Sequence, residues 1–447
     1  MDRSCLPWLG WLLRGKLEQA NPCKTAYYSG FPRIPDLRES IAMILHRNLC
    51  MLAMFALVPA APLLAAAEQA TTLDYSDFAN VPKQAGTGYS IDSKVPIVGL
   101  NGQFTIEVYG ESIAADGSDL LRVRVHEVPA VKALEDISTS STFAKAIGTS
   151  ATNTVESLGK VVTDPVDTLK AAPAGVGRFF KSIGNSVRNV ATGSDGSSAT
   201  DATKEALGIN KARRGIARKV GIDPYTRNAI AAKRLGTLAN AAFAGGVSLD
   251  VIVAVGTGGL STAISVTRTV SDLAWSLPPE DIRARNEAAL HALGVSDANT
   301  RALLGNTWYT PTLALALVER LKALKVGSGH DTFVALAATS ESETEARFFI
   351  EQLRMAHDYS MDGHALAAIE TPAQMAVFRT ANGGVFAPAA LDYVPWSEQV
   401  QAFADRHTAS KGEHVLWLTG QLSPDARKGL KEHGWSIREH VVASGGS

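Results

Sequence analysis

The chain has 447 residues, 46% of them hydrophobic and 19% charged, with 43 Lys+Arg against 44 Asp+Glu. That is material for two or three domains, each with a buried core. The composition excludes a disordered chain and a collagen-like repeat, and the charge balance excludes a strongly basic nucleic-acid protein.

Residues 1–42 hold Trp8, Trp11 and several cations without periodicity. They are read as an extension outside the fold, with translation expected to start at Met43. From Met43 to Arg47 the chain is short and basic, from Asn48 to Leu64 it carries no charge, and Ala65-Ala66-Ala67 then precede Glu68. A basic stretch, an apolar run and an A-x-A site at Ala65 and Ala67 form a secretory signal peptide over 43–67, cut before Glu68. The apolar run is marginal for a spanning helix, which needs about 20 residues, and Pro59 and Pro62 interrupt it. An uncut N-terminal anchor is the alternative. All three cysteines, Cys5, Cys23 and Cys50, precede the cut. The mature chain would therefore be cysteine-free, with no disulfide, thiolate metal site or Cys nucleophile. The expected location is periplasmic or secreted.

Residues 68–128 read as a small antiparallel β unit. Gln103–Tyr109 and Leu120–Val128 alternate apolar and polar residues, Ala115–Ser118 gives a turn signal, and Val95–Leu100 adds a third strand. Residues 129–329 read as helices, beginning with Val131–Ile137 and continuing through Phe143, Ile147, Val155, Leu158 and Val162 at helical spacing. Asp164-Pro165 and Asp223-Pro224 mark helix starts. Residues 191–202 are small and polar, and are expected to be a flexible loop. Residues 330–447 switch to α+β: a helix from Ser342 to Met355, strands at His364–Ile369, Met375–Thr380 and Val385–Tyr393, and a helix over Trp396–His407. The strand His414–Thr419, a helix starting at Ser423 and the strand Trp435–Val441 then make a short β-α-β unit. The fold class expected is α+β.

The charge is unevenly spread. The net is −6 over 68–159, +8 over 160–235, zero over 236–329 and −6 over 330–447. Within the basic middle, Ala172–Val190 places Val176, Phe179, Phe180, Ile183, Val187 and Val190 on one helical stripe, opposite Arg178, Lys181, Asn185 and Arg188. An aromatic stripe facing cations makes an interface-seeking helix, and Lys211, Arg213, Arg214, Arg218 and Lys219 would extend the positive surface. The other reading is an ordinary surface helix of a globular protein. Leu235–Thr267 carries one charge, Asp250. It reads as a buried helical hairpin, with a membrane-inserted hairpin as the alternative.

The glycines at Gly256, Gly258 and Gly259 follow an apolar run as in dinucleotide loops, but Ser261 stands where a third Gly or Ala belongs. No P-loop or G-x-S-x-G elbow occurs. Imidazole beside carboxylate can bind metal or move protons. His330, Asp331, His357 and Asp358 are therefore the candidates for a metal-dependent hydrolase, and His357, Asp362 and His364 for a metal site, although no H-E-x-x-H spacing is present. Glu341, Glu343 and Glu345 read as a solvated helix start, and Trp417 and Trp435 as core. The leading expectation is a non-enzymatic binding or envelope-associated protein. It would use Arg178, Phe179, Phe180, Lys181 and Arg188 on an anionic membrane surface or an acidic envelope partner, with no cofactor and no nucleic acid. The sequence carries no signal for oligomeric state.

Overall fold

The structure, a computed structural model, describes residues 71–140, 198–245, 267–372, 375–407 and 412–442. These lie in one compact unit, 68–447. It is an α+β protein, with an antiparallel sheet first, helices in the middle and a mixed sheet last.

The N-terminal sheet contains β1 (Thr72–Asp74), β2 (Ala85–Gly86), β3 (Tyr89–Ile91), β4 (Lys94–Val98), β5 (Asn101–Val108) and β6 (Glu111–Asp116). Along β5, Phe104, Ile106 and Val108 alternate inward at period two, and β6 pairs with β5 from Gln103↔Asp116 to Val108↔Glu111. Gly117, at φ +88°, turns the chain into α1 (Ser118–Thr139). The expected strand over Leu120–Val128 is therefore helix, and the helical region begins at 118 rather than 129. Leu120, Leu121, Arg124, Glu127, Val128 and Val131 are all buried, and their spacing of three and four is helical. The alternation misleads because two of these buried residues are charged. Pro129 misleads further: it sits inside the helix, although proline costs a helix one donor and usually ends it.

α2 (Ser198–Val220) and α3 (Ala229–Gly245) form a hairpin across the expected break at Asp223-Pro224. Residues 198–202, read as loop, belong to α2. α4 (Arg268–Ser276), α5 (Pro279–Ala292), α6 (Asp297–Gly305), α7 (Pro311–Ala323) and α8 (His330–Ala337) follow. Several starts carry the cap the sequence supplies: Thr267, Ser296 and Thr310 each accept a backbone N–H, and Pro279 and Pro311 open their helices with φ already set.

α9 (Glu343–Met361) is the central helix. It packs against α1, α7 and the mixed sheet. That sheet contains β7 (Leu366–Glu370), β8 (Val377–Thr380), β9 (Val385–Ala389), β11 (His414–Leu418) and β13 (Trp435–Arg438), in the order β13-β11-β9-β8-β7. β9, β11 and β13 are parallel, and β7, β8 and β9 are antiparallel. α10 (Glu398–His407) connects β9 to β11 by way of β10 (Tyr393–Val394), and α11 (Pro424–Glu432) connects β11 to β13 after β12 (Gln421–Leu422). The expected β-α-β unit is β11-α11-β13. Period two divides the core. Phe378, Phe386 and Trp417 face the main core with α9, whereas Val377, Val385, Leu416 and Leu418 join Leu430 and Trp435 in a second cluster that takes in Ala404 of α10 and Ala426 of α11.

Candidate functional site

The densest polar chemistry among the described residues lies where α9 crosses α1. α9 carries Glu343, Arg347, Glu351, Arg354 and Asp358, which alternate in sign at spacings of four, four, three and four. Such ladders usually sit in solvent. Here Glu343, Arg347, Glu351 and Arg354 are buried. The expectation of a solvated cluster at Glu341, Glu343 and Glu345 holds for the outer two, which are exposed, and fails for Glu343. One face of α9 meets core and the next meets another helix bearing matching charge.

That helix is α1. Arg124 Nη2 donates to Glu343 at 2.5 Å, and Arg347 Nε donates to Glu343 at 3.0 Å. Arg124 also pairs with Glu127 at 3.3 Å. Glu127 in turn accepts from Thr226 Oγ1 and from Asn228 Nδ2, the latter at 3.0 Å. The chain of contacts thus joins α9, α1 and the α2–α3 loop. Burial alone would push Glu343 up, but the two guanidiniums override it and hold the carboxyl at about 2. Asp223, in the same loop, has no such partner. Burial pushes it up to about 6, although Thr312 Oγ1 donates to it at 2.7 Å and Tyr225 N at 2.9 Å.

One turn earlier, Asp392 does what Gly117 cannot. Gly117 is the N-cap of α1 and has no side chain to receive the first helical N–H groups. Asp392, just before β10, accepts from Ser118 N at 3.0 Å, Ser118 Oγ at 2.5 Å and Gly102 N at 2.9 Å. Burial raises its pKa despite these donors. This is an N-cap supplied from 274 residues away in the chain, which fastens the mixed sheet to the first helix.

Two cavities flank Arg347. One, of about 20 Å³, is lined by Ser118, Asp119, Arg122, Glu351 and Asp392, among others. The other, of about 10 Å³, lies between Glu127, Asp223, Arg227 and Arg347. Each has room for about one water, far below the roughly 300–1,000 Å³ of a small-molecule site. The carboxylates here face guanidiniums and amides, and no histidine lines either cavity. The chemistry of this arrangement is that of a lock between elements.

The histidine–carboxylate candidates are not brought together: Asp358 belongs to the α9 ladder, and the others lie elsewhere. Asp331 accepts from Ser296 N and Oγ, both at 2.9 Å, and from Asn299 Nδ2 at 2.8 Å. These bonds hold its carboxyl below its ordinary value and make it a cap for α6. Its neighbour His330 is pushed down by burial, and its Nε2 is buried without a hydrogen bond. Asp358 is bound by Arg354 Nη1 at 2.6 Å, while the half-exposed His357 stands 3.8 Å from it. Asp362 is exposed at the end of α9, and His364 stacks on Tyr359 with ring centres 4.3 Å apart. Among the described residues, no group of three or more His, Cys, Asp or Glu is placed to hold a metal ion. His357, Asp362 and His364, the candidates for a metal site, are not brought together into one.

Trp417 and Trp435 are core, as read. Arg178, Phe179, Phe180, Lys181, Arg188, the signal segment with Ala65, Ala67 and Glu68, and the stretch 246–266 lie outside the described residues. Among the described residues, no helix is long and apolar enough to cross a membrane. Comparison with protein-family models, with curated proteins and with solved structures finds no match.

Proposed function

We propose that this is an exported, non-enzymatic protein of the cell envelope that associates with an anionic membrane surface through its basic amphipathic segment. The observation that carries the reading is the charge and apolar pattern of 170–190. Lys170, Arg178, Lys181 and Arg188 are its only charged residues, and they stand opposite the stripe that holds Phe179 and Phe180. Export is supported by the signal-like order before Glu68 and by the confinement of cysteine to the first 50 residues.

Each cation near an anionic leaflet contributes about 1 kcal/mol. Reversing two of them, Arg178→Glu with Lys181→Glu, changes four charge units, or about 4 kcal/mol, and that is roughly a thousandfold in partitioning. Flotation with phosphatidylglycerol vesicles is the test. The unit from Glu68 on should float and the reversed variant should stay at the bottom of the gradient; equal flotation of the two refutes the reading.

A further inference from the structure

The chain holds two Asn-Gly pairs, Asn101-Gly102 and Asn382-Gly383. Asparagine is a chemically labile residue. Before glycine it is most exposed to attack, because the next backbone nitrogen can close on the side-chain carbonyl carbon and no Cβ stands in the way. The fold treats the two pairs in opposite ways. Asn101-Gly102 opens β5 and pairs with Val98 and Ile97 of β4. Gly102 is buried. Its N–H donates to the Asp392 carboxylate at 2.9 Å, and its carbonyl accepts from Gly117 N at 2.8 Å. The nitrogen that would have to attack is held by a buried acceptor that also caps α1.

Asn382-Gly383 is the tip of the β8–β9 hairpin, where Ala381, Asn382 and Gly383 are all exposed. Gly383, at φ +85°, donates its N–H to Thr380 O at 3.0 Å, and Thr380 N donates to Gly384 O at 3.1 Å. One backbone bond at a solvated tip therefore restrains the Gly383 nitrogen, and such bonds open locally while the rest of a fold stays intact. The side-chain carbonyl is already polarised, since Thr380 Oγ1 donates to Asn382 Oδ1 at 2.5 Å. A donor on that oxygen favours the negative charge that develops there as nitrogen adds to Cγ.

We infer that Asn382, and not Asn101, is a self-modification site of the folded protein, converting through a cyclic imide to aspartate and isoaspartate. The Gly383 nitrogen gives its proton to solvent hydroxide and bonds to Asn382 Cγ. The Cγ–Nδ2 bond breaks, and ammonia leaves with a proton returned from water. Water then opens the imide: cleavage of Cγ–N gives aspartate, and cleavage between the main-chain carbonyl carbon of residue 382 and that nitrogen gives isoaspartate. One water enters, one ammonia leaves, and nothing is oxidised or reduced. Isoaspartate adds a carbon to the main chain beside a packed hairpin base, where a Cβ on Gly384 would meet Glu413 O at 2.4 Å and one on Gly412 would meet Gly384 N at 2.6 Å. The β8–β9 pairing should loosen from this end.

Trypsin cuts after Lys94, Arg122, Arg379 and Arg406, so the peptides 95–122 and 380–406 each carry one asparagine, Asn101 and Asn382. The purified protein is held at mildly alkaline pH in water labelled with heavy oxygen, either folded or in guanidinium chloride, and mapped by mass spectrometry. In denaturant the two peptides should convert at comparable rates. In the folded chain 380–406 should convert at least about ten-fold faster than 95–122 and take one labelled oxygen into residue 382. A folded chain whose 380–406 stays intact while denaturant converts it overturns the inference, and so does a folded chain that converts both peptides alike.

Discussion

Glu343 ties α9 to α1 directly and, through Arg124 and Glu127, to the α2–α3 loop, so its loss should be felt well beyond α9. Its carboxylate binds Arg124 at 2.5 Å and Arg347 at 3.0 Å in a buried setting. Removing one partner of a buried pair typically costs 3–5 kcal/mol, largely because the other charge is stranded. In Glu343→Leu the stranding is partial: Arg124 keeps Glu127 at 3.3 Å, and Arg347 keeps Asp119 at 3.8 Å. The lower end, about 3 kcal/mol, is therefore expected. Proton linkage gives the same size. A carboxyl that ionises at about 2 in the folded chain, against 4.5 when free, contributes about 3 kcal/mol at neutral pH. The sign follows. With the folded pKa depressed, the contribution is complete above pH 4.5 and is lost as pH falls toward about 2.

At 2–4 °C per kcal/mol, Glu343→Leu should lower Tm by roughly 6–12 °C at pH 7. The gap to wild type should close as pH falls from 4.5 toward about 2. Arg124→Met should cost a similar amount. In the double variant, Glu127 and Arg347 both still line the smaller cavity, and one charge of each sign has been removed. Its cost should fall short of the sum of the single costs by about 2 kcal/mol, a coupling of the size seen for contacting charges. Thermal unfolding followed by tryptophan fluorescence supplies all four corners of the cycle. Additivity to within about 0.5 kcal/mol would refute a direct buried coupling between α1 and α9.

Asp223 has the opposite sign: its folded pKa of about 6 exceeds the free value of 3.8, so it costs the folded state about 3 kcal/mol that develops as pH rises from 3.8 to about 6. Asp223→Asn should therefore raise Tm at pH 7.5 and match wild type near pH 4, and a variant less stable than wild type at both pH values would refute this. Gly329 precedes α8 at φ +94°, where an added Cβ would stand 2.0 Å from the Ile369 carbonyl oxygen. Gly329→Ala should cost about 3 kcal/mol, and a Tm unchanged from wild type would refute the close approach.

The C-terminal elements were legible because their signals are local. Ser423-Pro-Asp caps α11, Gly434 ends it, and strands of four or five residues show their alternation without interruption. Leu120–Val128 was not legible. Leu-Leu-Arg-Val-Arg-Val satisfies period two by composition, and what makes it helix is the arrival of Glu343 from 219 residues away to bury Arg124. The same non-locality hid Asp392. As an isolated Asp before a strand it looks like turn chemistry, and its role appears only when Gly117 presents α1 without a cap. His330-Asp331 and His357-Asp358 misled for a geometric reason. Neighbours along a helix point about 100° apart, so adjacency in sequence separates imidazole from carboxylate. Each Asp found a partner one helix or one turn away instead.

The charge pattern narrows what can carry function. Residues 160–235 hold the excess of +8, and the sequence suggests a continuous positive surface running on through Lys211–Lys219. The structure breaks that surface. Arg214 is buried, Arg213 Nε donates to Pro224 O at 2.6 Å, Arg227 lies over the Trp308 ring at 4.2 Å, and Arg234 is bound by Glu111 and Glu135. Arg213 braces the hairpin, Arg227 ties its loop to the segment before α7, and Arg234 ties α3 to α1; a guanidinium so engaged is not available to attract lipid. Among the described residues of this stretch, Lys211, Arg218 and Lys233 remain exposed and Lys219 is half-buried. On the membrane reading proposed above, the cations of 170–190 are the ones to reverse, which is why the flotation test changes Arg178 and Lys181 and leaves the helices of the packed unit untouched.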